Sequence, residues 1–394
     1  MAAKRIHVAI VGAGVISETH LRAYAALGDS VEVVALVESD PARRQVVERR
    51  YPSIPAIPDH LQVLEVLAVD LVDVCTPPAN HEEIVVAALQ AGKLVVCEKP
   101  LAPTLEGIDR ILPVAHANPG RLATVFQYRM MPEIAEMLRL RDEGVLGELI
   151  FGLFADYDRI EGGPIGAKSW WGAWNTAGGG VGMTQFIHRL DLMCLLYGRP
   201  VEVTAMVGTL AASIESEDTL SATVRFEGGA IVTGSATMTA WRQGFRIDVL
   251  GTMGSVHHPW ALHLADGADR AGATSPAASR ALRAKARTNP AGRVLRRARR
   301  AVRLGGEVPT NHARFLRELV DAAAHARPLP VEPEEARRAV ELCTAIYASA
   351  LSGAPVDLPL SPDSPFYRGI STSDYLEATR ERPSPRRAER TSLR

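Results

Sequence analysis

The chain has 394 residues, of which 47% are hydrophobic and 23% charged, and its formal net charge is −1. This composition is that of a globular protein and excludes a largely disordered chain, while the length suffices for two domains. The near-zero net charge gives no indication of nucleic acid or a membrane as a partner, and we expect neither.

The cysteines and the N-terminus predict a cytoplasmic protein. Four cysteines lie far apart without the spacing of metal ligands, and three of them stand within apolar runs. We therefore expect core thiols, no metal and a reducing compartment. The first predicted strand begins within about five residues of the N-terminus, which leaves no room for a signal peptide. No uninterrupted apolar run approaches the roughly 20 residues that span a bilayer.

A strand and a glycine turn open the chain, where an apolar run leads into Gly12 and Gly14. Gly12 can adopt a turn that a side chain would resist, and Gly14 lets the backbone approach phosphates. The helix that starts nearby directs free N–H groups at the same phosphates, and Val15 and Ile16 are expected to contact the cofactor there. The pattern predicts a pyrophosphate-binding turn. Ser17 stands where a third glycine is usual and should hold the helix slightly further from the strand.

A second predicted strand, 31–37, ends at Glu38, which is 24 residues beyond the second glycine (38 − 14). A carboxylate there accepts hydrogen bonds from ribose hydroxyls and repels a 2′-phosphate, so we expect NAD rather than NADP. The alternative is an ordinary acidic residue at the start of a loop. Arg43 and Arg44 lie just beyond and are the one feature that would reverse the preference.

Strand and helix patterns alternate up to about residue 125 and predict a parallel sheet with right-handed crossovers. The strands are expected at 6–11, 31–37, 71–75, 93–97 and 122–126. Helices are expected from about residue 17, after Pro41, and at 81–91 and 104–116. We therefore assign residues 1–127 to an α/β dinucleotide-binding domain.

Beyond this domain the pattern changes to β-rich segments without intervening helices. They lie at 147–157, 201–210, 219–226, 230–240 and 245–250, and helices are expected from Pro132, at 181–197 and within 310–352. Sequential strands of this kind form an antiparallel or mixed open sheet. Residues 128–370 are therefore predicted to form an α+β domain with a large, open, mostly antiparallel sheet, which binds substrate and mediates oligomerisation.

Two polar segments stand apart from these domains. Residues 280–303 carry ten lysines and arginines and no acid. Such a run is typical of a solvated insertion lying against an acidic body, and it is also compatible with an anionic partner or a docking arm. Residues 371–394 end in a proline- and arginine-rich stretch, and we expect a flexible tail.

Polar residues follow two of the predicted parallel strands. Thr76-Pro77 and His81 come after the third strand, and Glu98-Lys99-Pro100 comes directly after the fourth. These positions are the carboxyl ends of parallel strands, where open α/β sheets bind ligands. Further on, the glycine run 178–182 leads into an apolar helix that carries His188.

In this order, these motifs resemble the Gfo/Idh/MocA family of dehydrogenases, named after glucose–fructose oxidoreductase, inositol dehydrogenase and a rhizopine-catabolism protein. The resemblance covers most of the chain, since His20, the Ala91-Gly92-Lys93 stretch and residues 251–255 also match. It implies an N-terminal Rossmann domain, NAD as the cofactor, a small carbohydrate-like substrate, and a homodimer or homotetramer built through the open sheet.

The resemblance implies that Lys99 points into the active site and exchanges the proton of the reacting hydroxyl. A lysine suits this role because its pKa falls when it is desolvated or lies beside another cation, such as the oxidised nicotinamide. His188 matches the family's second catalytic position. Asp191 follows three residues later, so on a helix it shares a face with His188 and would orient the imidazole or balance its charge.

The resemblance and the placement of polar residues predict the remaining contacts. The cofactor is expected to contact, besides the glycine turn and Glu38, the residues Thr76, Pro77, His81, Glu98, Lys99, Gln127 and Trp170. The substrate is expected to contact Arg129, Tyr157, Trp171, Thr184, Gln185 and His188. The aromatic rings would stack on the C–H faces of a sugar, although core packing accounts equally well for any one of them.

Two positions depart from the family pattern. Thr184 stands where many members carry an aspartate four residues before the histidine, so Lys99 and His188 are expected to share the proton transfer. Together with Gln185, Thr184 looks more like a branch of the family in which several members act on sugars or sugar nucleotides. Trp171 stands where relatives often carry an arginine, which would remove one cofactor contact.

The sequence thus predicts an NAD-dependent oxidoreductase that acts on a secondary hydroxyl or ketone of a sugar, cyclitol, glycoside or sugar nucleotide. Two alternatives stay open: a hydrolase or lyase that uses NAD for a transient oxidation, and a non-catalytic NAD-binding regulator. Lys99 and His188 argue against the regulator. The accumulation of NADH during turnover would separate the dehydrogenase from the hydrolase or lyase.

Overall fold

The fold comes from a computed structural model that describes residues 5–66, 68–159, 170–259, 261–264, 270–271 and 310–379. The predicted basic insertion at 280–303 lies outside the described residues. Within them, no helix combines the length and apolar character needed to cross a membrane.

The N-terminal part forms a six-stranded sheet in the order β3-β2-β1-β4-β5-β6, in which all neighbours are parallel. The strands are β1 (Ile6–Val11), β2 (Val31–Val37), β3 (Ala56–Ile57), β4 (Leu71–Val74), β5 (Leu94–Cys97) and β6 (Leu122–Thr124). The connecting helices are α1 (Val15–Ala25), α2 (Pro41–Arg50), α3 (His60–Val66), α4 (His81–Gln90) and α5 (Leu105–Ala117). The predicted Rossmann domain is confirmed.

The strand order reverses between β1 and β4, which lie side by side at the centre of this sheet. In open α/β sheets, ligands bind in the crevice outside the carboxyl ends of the strands at such a reversal. The glycine turn after β1 and the residues after β4 and β5 therefore meet at one edge. The strand β3 was not predicted, because two residues are too few to show a strand pattern. The short helix α3 was not predicted either.

The C-terminal part contains a sheet with nine strands among the described residues, in the order β14-β13-β12-β11-β7-β10-β9-β8-β15. β7 and β10 are parallel and the other neighbours are antiparallel, so the predicted open, mostly antiparallel sheet is confirmed. The strands are β7 (Leu149–Arg159), β8 (Pro200–Gly208), β9 (Thr219–Phe226), β10 (Ile231–Thr237), β11 (Thr239–Gly251), β12 (Gly254–His258), β13 (Ala261–Leu264), β14 (Arg270–Ala271) and β15 (Val356–Asp357).

Two helices, α8 (Ile187–Tyr197) and α10 (Pro333–Ser352), pack on one face of this sheet. The other helices of the C-terminal part are α6 (Pro132–Asp142), α7 (Trp174–Ala177), α9 (Asn311–Ala324), which packs against α1, and α11 (Thr372–Thr379). The alternation in β10 places Val232, Gly234 and Ala236 in the core, whereas Ile231 and Ser235 are exposed on the other face. A side chain at Gly234 would lie 2.8 Å from side-chain atoms of helix α8 and the turn before it, so helix and sheet are in close contact there.

Local signals account for the helix boundaries. Asp40 begins α2 by accepting a hydrogen bond from the backbone N–H of Arg43 (2.7 Å), with Pro41 at the first helical position. Reciprocal hydrogen bonds between Glu332 and Glu335 close the start of α10. The predicted helical segment 310–352 is therefore two helices, of which the second has its own cap.

The predicted flexible tail over 371–394 begins with a helix instead. Tyr375 of α11 is buried, and its ring centroid lies 5.2 Å from that of Trp174. This aromatic contact ties residues 372–379 to the C-terminal domain. Residues 380–394 lie outside the part of the chain that the structure describes.

We expect Tyr375→Ala to lower the free energy of unfolding by about 3 kcal/mol, because it removes a buried aromatic ring from the contact with Trp174. The neighbouring Leu376 is 58% exposed, so Leu376→Ala serves as the control and should change stability by less than about 0.5 kcal/mol. Chemical denaturation of both variants checks this. Equal stability of the two variants would show that α11 is not part of the folded domain.

Candidate active site

The turn after β1 is shaped by its contact with the end of β4. Gly12 has φ +98°, and a Cβ placed there would lie 2.8 Å from the carbonyl carbon and oxygen of Cys75. Only glycine fits such a conformation and approach. Gly14 precedes α1, and a Cβ there would meet nothing within 4 Å, so a ligand can approach its backbone. Ser17 donates a hydrogen bond to the Gly14 carbonyl oxygen (2.7 Å), which places its hydroxyl within the turn itself.

The first residues of α1 lie at the same edge. Val15 is 88% exposed and Ile16 is half-buried. An apolar side chain as exposed as Val15, beside a glycine with open space around it, is compatible with a ligand that covers this turn. The N–H groups of the first helical turn have no partners within the helix and would face that ligand.

Glu38 follows β2 directly and is 8% exposed. Its Oε1 accepts a hydrogen bond from the backbone N–H of Asp40 (3.0 Å). The side chain of Arg44 donates to the carbonyl oxygens of Glu38 (2.9 Å) and Ser39 (3.3 Å). Arg44 is therefore bound to the loop backbone rather than to the Glu38 carboxylate, whose contact with the ribose stays a prediction.

The loops after β4 and β5 are tied together by His81. Its Nδ1 lies 2.8 Å from the Pro100 carbonyl oxygen, and its Nε2 lies 2.8 Å from the Thr76 carbonyl oxygen. Burial lowers the pKa of this histidine. The prediction that His81 contacts the cofactor is corrected, because both ring nitrogens face the backbone and the side chain can only position the two loops.

Two polar atoms at this edge have no partner among the described residues. Thr76 Oγ1, after β4, and Gln127 Oε1, after β6, are buried without a hydrogen bond. Leaving such groups unpaired costs stability, so their presence beside a predicted ligand site indicates that a ligand satisfies them. A dinucleotide with its ribose hydroxyls and carboxamide offers suitable partners. Pro77 is half-buried between Thr76 and the start of α4.

Lys99 brings the two domains into contact. Its Nζ donates a hydrogen bond to the carbonyl oxygen of Thr184, which precedes α8. Burial lowers the pKa of Lys99, and the carboxylate of Glu98 opposes this effect. A lowered pKa makes the neutral, proton-accepting form of the lysine easier to reach.

His188, in the first turn of α8, is also buried. Its ring packs edge-on against Phe126 and Tyr128, with centroid distances of 5.8 and 4.8 Å. Burial holds its pKa well below the ordinary value, and the charges of Lys99 and Arg189 act in the same direction. The imidazole is therefore neutral at pH 7, and its Nδ1 has no hydrogen-bond partner among the described residues.

Asp191 and Arg129 are bound to each other, contrary to both predictions made for them. Arg129 Nε lies 2.9 Å from Asp191 Oδ2, Nη2 lies 2.5 Å from Asp191 Oδ1, and Nη1 lies 2.8 Å from Glu335 Oε1. The side chain of Arg129 is only 8% exposed. Arg129 therefore has no nitrogen free for a substrate, and Asp191 binds an arginine rather than His188.

Tyr157 faces away from the candidate site. Its neighbour on β7, Asp156, forms an ion pair with Arg189 of α8 (Oδ2 to Nε, 3.0 Å). Successive side chains on a strand point to opposite faces, so Tyr157 lies on the open face of the sheet, where it is 39% exposed. The prediction that Tyr157 contacts the substrate within the same subunit is corrected.

The predicted tryptophans and the residues before His188 have different environments. Trp170 is 43% exposed, and Trp171 is half-buried. Thr184 is buried, and its hydroxyl donates to the Gly180 carbonyl oxygen (2.6 Å), so only its backbone reaches Lys99. Substrate contact by the Thr184 side chain is therefore corrected. The contacts of Trp170, Trp171 and Gln185 stay predictions.

The glycine run is explained by a buried carboxylate that sequence analysis missed. Glu217 accepts hydrogen bonds from the backbone N–H groups of Gly180 (2.9 Å) and Gly182 (2.8 Å) and from the hydroxyl of Tyr347 (2.8 Å). A Cβ at Gly180 would lie 1.7 Å from the Glu217 carbonyl oxygen. Burial raises the pKa of Glu217 to about 7, although these hydrogen bonds act to lower it. Glycines are needed here for packing, and no local pattern marks Glu217 in the sequence.

Glu98 also differs from its predicted role. It is 6% exposed, its Oε1 lies 3.0 Å from Nε2 of His20, and its Oε2 accepts a hydrogen bond from the backbone N–H of Lys99 (3.2 Å). The carboxylate is thus held by protein groups rather than presented to a cofactor. His312 of α9, which the sequence gave no reason to select, lies 3.7 Å from the same oxygen.

Two family models match the chain. Residues 6–126 match the NAD-binding Rossmann-fold domain of the GFO/IDH/MocA oxidoreductases, and residues 134–257 match the C-terminal domain of the same family. Inositol 2-dehydrogenase from Acidothermus cellulolyticus is 28% identical over 64% of this chain and 72% of its own length. D-glucoside 3-dehydrogenase from Escherichia coli is 29% identical over 59% of this chain and 70% of its own length.

Solved structures have the same fold. The WlbA dehydrogenase from Bordetella pertussis, in complex with NADH and UDP-GlcNAcA, superimposes with a TM-score of 0.76 at 24% identity and covers 92% of this chain and all of its own. Levoglucosan dehydrogenase, in complex with NADH and levoglucosan, gives a TM-score of 0.77 at 21% identity, over 91% of this chain and all of its own.

We expect NAD to bind at least about tenfold more tightly than NADP, a difference of about 1.4 kcal/mol, because the Glu38 carboxylate would repel a 2′-phosphate. Glu38→Ala should narrow this difference. Calorimetric titration of both nucleotides checks it, with Glu48→Ala as the control because Glu48 is an exposed acid on α2. Equal or tighter binding of NADP to the unaltered protein would contradict the prediction and point to Arg43 or Arg44.

Proposed function

Because the chain belongs to the GFO/IDH/MocA family of NAD-binding oxidoreductases, we propose that it transfers a hydride between NAD and a ring carbon of a small carbohydrate. The reacting group is a secondary hydroxyl or the corresponding ketone, in a sugar, cyclitol, glycoside or sugar nucleotide. The relatives named for inositol and D-glucoside and the structures with levoglucosan and UDP-GlcNAcA support this range.

The residues at the carboxyl edge of the first sheet suit NAD. In this proposal Gly12, Gly14 and the start of α1 hold the pyrophosphate, Glu38 holds the adenosine ribose, and the unpaired oxygens of Thr76 and Gln127 bind further polar groups. NAD supplies the hydride acceptor or donor when it is bound. The protein positions the two reactants and exchanges the proton.

The contact between Lys99 and Thr184 is the observation that carries the proposal. It brings a lysine with a lowered pKa from the edge of the NAD-binding sheet to the segment that leads into His188. In the oxidation of an alcohol, neutral Lys99 takes the hydroxyl proton, and in the reduction of a ketone its ammonium returns it. Neutral His188 accepts a hydrogen bond from the same hydroxyl or donates one to it.

The substrate screen follows from this chemistry. Purified protein is incubated with NAD and with pyranosides, cyclitols, aminoglycosides and sugar nucleotides, and NADH is followed by its absorbance. Accumulation of NADH with one of these classes supports a dehydrogenase. Product formation without NADH would instead support a hydrolase or lyase with a transient oxidation.

We expect Lys99→Met to lower kcat by roughly 10²- to 10⁴-fold on the substrate so identified, because the acid–base group is lost. His188→Ala should have a similar effect. NAD affinity, measured by calorimetry, should stay within a few-fold in both variants. Lys93→Met is the control, since Lys93 directly precedes β5, at the opposite end of the strand from Lys99. Normal turnover by either active-site variant would exclude that residue from the proton transfer.

We also propose a cytoplasmic homodimer or homotetramer that associates through the open face of the second sheet. All four cysteines are free and buried, which fits a reducing compartment. The open face presents apolar side chains with substantial exposure, namely Met206 (77%), Ile231 (39%) and Phe151 (36%). Burying such a face against a copy of itself is the usual basis of closed symmetric assembly.

We expect size-exclusion chromatography with light scattering to give a dimer or tetramer at micromolar concentration. Met206→Arg should shift the protein toward the monomer, because it places a charge on the open face. Leu376→Arg is the matched control, since it adds the same charge to the exposed side of α11. A monomer in the unaltered protein would contradict the proposed assembly.

A further inference from the structure

A buried ion cluster lies next to Lys99, between the first sheet and helix α1. His20 of α1 is fully buried, and its Nδ1 lies 2.7 Å from Oδ2 of Asp73 on β4. Its Nε2 lies 3.0 Å from Oε1 of Glu98. One imidazole thus bridges two carboxylates that come from neighbouring strands. The proposed function assigns no role to this arrangement.

Two carboxylates at its two ring nitrogens favour a positive charge on His20, whereas His81, between two uncharged carbonyl oxygens, has a lowered pKa. A neutral imidazole has one N–H and one lone pair, so it can donate to only one of two carboxylates, whereas an imidazolium donates to both. Burial alone lowers the pKa of His20, but Asp73 outweighs it and holds the pKa well above the ordinary value. Two buried carboxylates facing one cation are a stable arrangement only while that cation persists.

The other groups that face this cluster do not supply the charge. His312 lies 3.7 Å from Glu98 Oε1, but burial lowers its pKa to about 4, so it is neutral at pH 7. Cys75 stays protonated because burial raises its pKa to about 12, and burial likewise raises the pKa of Tyr24. The cluster therefore consists of one cation and two anions. Both nitrogens of His20 are occupied by carboxylates, so a metal ion at this ring would have to displace one of them.

Glu98 connects the cluster to Lys99. Its Oε2 accepts the backbone N–H of Lys99 (3.2 Å), while its Oε1 faces His20. Besides Glu98, the ionisable groups that interact with the lysine are His188 from α8 and His312 from α9. Glu98 is the only anion in this set, and its influence on Lys99 depends on the cation that holds it.

We propose that His20, fixed as an imidazolium between Asp73 and Glu98, is a positioning residue that sets the proton affinity of Lys99 through Glu98. The inference rests on the proposed function, in which Lys99 exchanges the substrate proton. In the oxidation, a hydride leaves the substrate carbon for NAD⁺ and the hydroxyl proton passes to neutral Lys99, giving ketone, NADH and an ammonium. The imidazolium itself gains and loses no proton in this cycle.

The experiment measures the proton affinity of Lys99 directly, without a substrate. Full-length protein without NAD is labelled at a series of pH values with trace acetic anhydride, and acetylation of Lys99 is quantified by mass spectrometry against Lys93. Glu98→Gln should lower the labelling midpoint of Lys99 by about one pH unit, a tenfold change, because it removes the carboxylate that opposes the effect of burial on the lysine. His20→Gln should also lower the midpoint, because Glu98 without its cation takes up a proton, and adding His20→Gln to Glu98→Gln should lower it no further.

The double variant is decisive, since an effect of His20 that passes through Glu98 is absent once Glu98 is replaced, whereas a separate structural effect would add to the shift. The proposal is overturned if Glu98→Gln or His20→Gln leaves the midpoint unchanged, or if the double variant falls clearly below the midpoint of Glu98→Gln. His81→Gln is the matched control, because His81 is equally buried but faces carbonyl oxygens instead of carboxylates. A shift of the same size in His81→Gln would indicate general loosening of the loop and would also overturn the proposal.

A second measurement needs no variant and decides the matter if the double variant does not fold. Nitrogen-15 spectra of histidine-labelled protein at about pH 8, more than a unit above the ordinary histidine pKa, should show a ring with both nitrogens protonated. Absence of such a ring would overturn the proposal. If the labelling and the spectra agree with expectation while Lys99→Met retains full turnover, the ion cluster stands and the proposed catalytic role of Lys99 fails.

Discussion

The hydrogen bond from Lys99 to the Thr184 carbonyl joins the two halves of this molecule at the point where chemistry is proposed. The lysine belongs to the edge of the parallel sheet, where the reversal of strand order leaves room for a dinucleotide. Thr184 belongs to the turn that leads into α8 and His188. In the proposed reaction Lys99 and His188 act at one carbon of the substrate, and this requires both segments to be fixed. The rest of the site serves to fix them.

In the second domain, side chains that pack against the glycine run hold the segment before α8 in place. Glu217 binds two backbone N–H groups at 180–182, and Tyr347 of α10 binds both Glu217 and the N–H of Met183 (3.1 Å). The helix that carries His188 is therefore held at its start by side chains from the loop before β9 and from a distant helix. The glycines permit this approach, since a methyl group at Gly180 would overlap the Glu217 backbone.

The sequence predicts the elements better than it predicts side-chain partners. The strands of the first sheet, except β3, are apolar runs bounded by turn residues, so they are found within a few residues. The glycine turn is also predicted, since it depends on local backbone geometry, whereas the role of Lys99 is implied by the family resemblance and stays a prediction. Arg129, by contrast, binds a carboxylate 62 positions away, and no local pattern reveals such a partner. The face on which Tyr157 lies depends on the phase of β7, which only the ion pair of Asp156 fixes.

The buried basic groups fall into two kinds, those that hold the structure and those suited to exchange a proton. Arg129 faces Asp191 and Glu335, Arg189 faces Asp156, and His20 faces Asp73 and Glu98, so each of these cations has a carboxylate within hydrogen-bond distance. Lys99 and His188 do not, within the described part of the chain: Nζ of Lys99 has a carbonyl oxygen, and Nδ1 of His188 has no partner. A buried cation paired with a carboxylate stays charged and resists titration, whereas a buried base without one has a lowered pKa and can exchange a proton. This difference in pairing, rather than burial itself, is what makes Lys99 and His188 suited to move a proton while the arginines and His20 hold the site around them.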